Sequence, residues 1–73
     1  MKKYRAVFEY ADKMWVAGCD ELGITLEDGS FDALVVRVKY AIQDIAEMEL
    51  GYKGDIQLTI VVRERVDVIK AVG

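Results

Sequence analysis

Residues 30–50 read SFDALVVRVKYAIQDIAEMEL, and this stretch decides the fold. Phe31, Leu34, Val38, Ile42 (with Ala41) and Ile45 recur at spacings of three and four, which places them on one stripe of an α-helix. Ser30 offers an N-cap oxygen to first-turn amides that have no helical partner. Asp32 sets a negative charge beside the positive end of the helix dipole. Gly51 suits the left-handed residue just past the C-terminus, and Tyr52 is placed to pack back over the last turn. The helix is therefore expected from Ser30 to Leu50. Its outer side carries Arg37, Lys39, Gln43, Asp44, Glu47 and Glu49, an ordinary solvated face, while Val35, Val36 and Tyr40 widen the apolar stripe.

The segments before the helix alternate with period two. From Lys3 to Tyr10, the residues Tyr4, Ala6, Phe8 and Tyr10 fall on one face, with Arg5, Val7 and Glu9 on the other, which is a strand. Ala11, Asp12 and Lys13 form a polar break suited to a hairpin turn. Met14–Cys19 resumes as a second strand with no polar face, so cover is expected on both of its sides. Trp15 in this strand is a large core or interface anchor. Asp20–Gly23 reads as a turn, and Ile24–Leu26 as a short third strand. After the helix, Lys53, Gly54 and Asp55 turn the chain into a long β-branched strand, Ile56–Ile69. Ile56, Leu58, Ile60 and Val62 share its inner face. A strand this long outruns its neighbours, so its far half is expected to cross to another chain or pair with one. The order strand, strand, strand, helix, strand gives an α+β fold, β-β-β-α-β, with one helix on a mainly antiparallel sheet.

The 73 residues are expected to form one small domain spanning 1–73. At 53% hydrophobic the chain has more apolar side chains than one helix on one sheet face can cover, which points to a homo-oligomer, a dimer or higher. A formal net charge of −3 argues against direct nucleic-acid binding and suits a basic protein partner. Histidine is absent, which removes the commonest general base and zinc ligand. The lone Cys19 sits among apolar neighbours and reads as an inert buried thiol. No apolar run is long enough to span a membrane, and no signal-peptide core follows Met1, so a cytoplasmic location is expected.

Asp20, Glu21, Glu27 and Asp28 are the acids closest to one another in the chain, in turns flanking the third strand. Two-metal phosphoryl chemistry needs carboxylates converging on one cavity. Solvated turn acids are the ordinary reading of such residues. As functional residues they fit an electrostatic contact with a basic partner better than a metal site. Arg63 and Arg65, with Lys70, make a short basic strip on the last strand. Such charges commonly protect a strand edge, and pairing with an acid such as Glu9 of another subunit is the alternative. No metal, cofactor or catalytic residue is expected.

One framework runs along the chain: Trp15-Val16-Ala17, Asp20-Glu21, Gly23, Glu27, Ser30-Phe31-Asp32-Ala33-Leu34 with Arg37-Val38, and a final Val-x-Glu-Arg segment at Val62 to Arg65. It resembles a bacterial family of small domains of unknown function within the HicB-like group. The resemblance implies a partial ribonuclease-H-like fold of β-β-β-α-β type. It also implies an antitoxin role, in which the domain masks a small basic HicA-like toxin, a messenger-RNA interferase. HicB-like antitoxins commonly repress their own operon through a separate C-terminal DNA-binding domain. Here the sequence stops at Gly73 after the last strand, so autorepression is not expected of it. The alternatives to an antitoxin are an orphan oligomeric structural or regulatory module and a degenerate nuclease-like enzyme.

Overall fold

A computed structural model describes residues 1–63 and 68–72. The elements run β1 (Lys2–Ala11), β2 (Met14–Cys19), a single 3-10 turn (Asp20–Leu22), β3 (Ile24–Asp28), α1 (Phe31–Leu50) and β4 (Ile56–Arg63). This is the expected α+β order. The strands form one mixed sheet in the order β3-β2-β1-β4. β1–β2 and β2–β3 are antiparallel, whereas β4 lies parallel to β1. The helix thus carries the chain from one edge of the sheet to the other. A parallel neighbour needs such a crossover, because a tight turn can only reverse the chain.

Two local devices set up this arrangement. Asp12 and Lys13 both have positive φ, 52° and 64°, and Ala11 pairs with Met14, so the hairpin closes on a two-residue turn of the primed type. At the helix start, Ser30 Oγ accepts the Ala33 amide at 3.3 Å, while the Ser30 amide donates to Asp28 Oδ1 at 2.9 Å. At its end, Gly51 takes φ 63°, and its amide donates to the Glu47 carbonyl at 3.0 Å. The Tyr52 amide donates to the Ala46 carbonyl at 3.0 Å, and its side chain reaches the start of β1, where Oη accepts the Lys2 amide at 3.3 Å and donates to the Asp55 carbonyl at 2.7 Å. Gly54 is required for this: a Cβ there would lie 2.6 Å from that hydroxyl.

The core is one layer between the helix and one sheet face. Leu34, Val38, Ile42 and Ala46, spaced by four, are the buried residues of α1. Leu34, Val38 and Ile42 meet Tyr4, Ala6 and Phe8 of β1, Ala17 and Cys19 of β2, and Ile24 of β3. Each fully buried large apolar side chain contributes roughly 1.5–3 kcal/mol by leaving water. Phe8, Phe31 and Trp15 form an edge-to-face chain, with centroids 5.2 Å and 4.9 Å apart, which closes the helix N-terminal end of the layer.

Two expectations are corrected. β3 runs on through Glu27 and Asp28, because both continue the ladder opposite Val16 and Trp15. Among the described residues β4 spans Ile56–Arg63, short of the expected Ile69. Arg63 lies opposite Glu9 of β1. Residues 64–67, which include Arg65, lie outside the described residues, and Val68 and Ile69 are not in a strand. Within the protomer the helix lies on one side of β2. No described helix is long and apolar enough to cross a membrane.

Candidate functional site

The strand register fixes what the uncovered sheet face presents. Residues paired across strands point to the same side, so the face consists of lateral rows. One row is Val61, Val7, Gly18 and Thr25; the next is Arg63, Glu9, Val16 and Glu27. Val7, Val16 and Val61 are half-buried and form an apolar floor, bordered by charge. A shallow groove of about 230 Å³ runs over this floor, with Glu9, Asp20 and Arg63 on its rim.

The structure separates the four acids singled out from sequence. Asp20 and Glu21 sit on the 3-10 turn before β3, whereas Glu27 and Asp28 close its far end. Four strand steps lie between Ile24 and Asp28, about 13 Å of chain. Within the second pair the sides differ. Glu27 stands in the row of Val16 on the open face, and Asp28 shares the helix side with Trp15. Asp28 has a structural task there: Arg37 Nη1 donates to the Glu27 carbonyl at 2.7 Å and lies 3.5 Å from Asp28 Oδ2, clipping α1 to the end of β3. Among the described residues no three His, Cys, Asp or Glu side chains gather as a metal site would require.

Arg63 is not the free cation of a basic strip. Its Nη1 lies 3.3 Å from Glu9 Oε1 of the same chain, its neighbour across the β1–β4 ladder. Glu9 and Arg63 are thus paired within the protomer. Both side chains are more than half exposed, so this pair adds well under about 1 kcal/mol to stability. Arg65 lies outside the described residues, and Lys70 is exposed.

Cys19 is buried in the core layer. Burial raises its thiol above the ordinary range. The charges of Glu21 and Asp20 push the same way, against hydrogen bonds from the Leu22 and Glu21 amides. A thiol held protonated and out of solvent is a packing residue, not a nucleophile.

The open-face floor itself escaped the sequence reading. Its signal was present in the alternation of Val7 with Glu9 and of Val16 with Gly18. It was absorbed by the expectation that both faces of β2 are covered.

A family model described as a domain of unknown function, DUF1902, matches residues 4–69. No curated protein and no solved structure matches the chain. The chain belongs to the DUF1902 family.

Proposed function

We propose, with membership of that family as the premise, that the chain is a non-catalytic protein-binding domain that works as a homo-oligomer. Its partner is a small basic protein of the HicA-like toxin kind, whose ribonuclease surface it masks. The observation that carries this reading is the open sheet face. It has an apolar floor of Val7, Val16 and Val61, and Glu9, Asp20 and Glu27 stand around it. A flat face with apolar centre and charged rim is the anatomy of a protein interface rather than of a substrate cleft. The rim acids and the net charge of −3 favour a cationic partner, through faster encounter and exclusion of acidic competitors. The resemblance to HicB-like antitoxins supplies the class of that partner. Of the acids picked out from sequence, Asp20 and Glu27 belong to this surface, and Arg63 takes part as the counter-charge of Glu9.

The test is a titration of the purified chain into a small basic ribonuclease encoded beside it, with RNA cleavage as the readout. Cleavage is expected to stop at stoichiometric amounts. Asp20→Lys with Glu27→Lys should weaken the block at least tenfold while the circular dichroism spectrum stays unchanged. Undiminished cleavage at large excess of the wild-type chain overturns the reading.

A further inference from the structure

The two edges of the sheet are built differently. β3 is five residues long, carries Glu27 and Asp28, and is tied to the helix by Arg37. Short length and charge are the usual guards against unwanted strand pairing. β4 has eight residues, IQLTIVVR, with no charge before its last position and no proline. Among the described residues no strand lies beside its outer backbone groups. On its helix side, Ile60 and Val62 are 38% and 50% exposed, although their neighbours across the ladder, Ala6 and Phe8, are completely buried. The apolar layer thus continues past the helix onto an edge that no described strand or helix covers.

We infer that β4 pairs antiparallel with β4 of a second copy, joining two four-stranded sheets into one of eight strands about a two-fold axis at Thr59. This inference rests on the homo-oligomer of the preceding section and specifies its surface. The register follows from side-chain parity. Strands in one sheet must keep helix-side residues opposite helix-side residues, so only every second register is allowed. With Thr59 on the axis, Ile60 meets Leu58 and Val62 meets Ile56 of the other copy, which extends the core layer across the junction. On the open face the same register sets Arg63 opposite Asp55 of the other copy, one complementary charge pair on each side of the axis. Thr59 against its own copy is a favourable β-branched cross-strand pair. The C-terminal end of each strand then lies near the other copy's helix C-terminus, where Leu50 is exposed. Val68, Ile69 and Val72, all nearly bare, belong to that end of the chain. The open face with its rim acids remains available to a different partner.

Light scattering on the full chain reads the assembly, and cysteine cross-linking reads the register. The expected mass is twice the 8.2 kDa of one chain. Ile60→Lys should convert it to a folded monomer. Thr59→Cys, in a Cys19→Ala background, should form a disulfide dimer under mild oxidation, because residues directly opposite have Cα atoms about 4.5–5.5 Å apart. Gln57→Cys should not, since four strand steps separate it from its own copy by about 13 Å. A wild-type dimer that survives Ile60→Lys and gives no Thr59→Cys cross-link overturns the β4 pairing and leaves the oligomer standing. A wild-type monomer at micromolar concentration overturns both.

Discussion

Cys19 shows how a single residue's environment turns into a measurable property of the whole chain. Its thiol is held above the ordinary range, first by burial and then by Glu21 and Asp20. Below the ordinary thiol pKa both folded and unfolded chains are protonated there, and the stability is fully present. As pH climbs through that range the unfolded chain loses its proton first, so stability falls, by up to about 1.4 kcal/mol per pH unit until the folded thiol also ionises. Urea titrations at a series of alkaline pH values should show the wild type declining more steeply than Cys19→Ala. Parallel curves for the two proteins would remove the buried thiol as the cause. The location of Cys19 was legible in the sequence, because its alternation with Trp15 and Ala17 put it on one side of a strand. The separation of Asp28 from Glu27 was not. Both acids read as turn residues until the ladder with Val16 and Trp15 carried β3 through them and sent their side chains to opposite faces.

At the level of elements, the helix and the first hairpin were readable because their signals are local. Spacing, cap and terminal glycine all lie within α1 and its flanks, and they landed at Ser30 and Gly51 as expected. The parallel pairing of β4 with β1 has no local signal, since it joins residues 2–9 to residues 56–63. The hairpin carries a local conflict that experiment can relieve. Lys13 holds φ 64°, a region that costs an L-residue with a side chain roughly 1–2 kcal/mol. Glycine removes most of that strain and gives some back through the greater freedom of its unfolded chain. Lys13→Gly is expected to raise the unfolding free energy by about 0.5–1 kcal/mol, measured by urea denaturation. A loss of stability instead would mean that the Lys13 side chain supports the turn in a way that outweighs its backbone strain.

Over the whole molecule, the mismatch between apolar content and available cover finds three outlets: the open sheet face, the β4 edge and the C-terminal segment. The last of these is visible in the dimensions. The described structure is 61 Å long but only 19 and 17 Å across, and its radius of gyration is 15.3 Å against about 11 Å for a compact chain of this size. A 20-residue helix accounts for only about 30 Å of that length. Val68, Ile69 and Val72 are 84%, 93% and 101% exposed, so they contribute almost nothing to the core of their own protomer. Apolar side chains left this bare gain free energy only by covering something outside the protomer. Ending the chain at Asp67 should therefore leave the unfolding free energy of dilute protein within about 0.5 kcal/mol of wild type. At high concentration, where a second copy is present to be covered, the shortened chain should melt at lower temperature than the full one. Mass action makes the two regimes separable, because association stabilises only what is bound. A loss above about 1 kcal/mol in dilute solution would place the segment on its own body instead, and equal melting at high concentration would deny it any part in assembly.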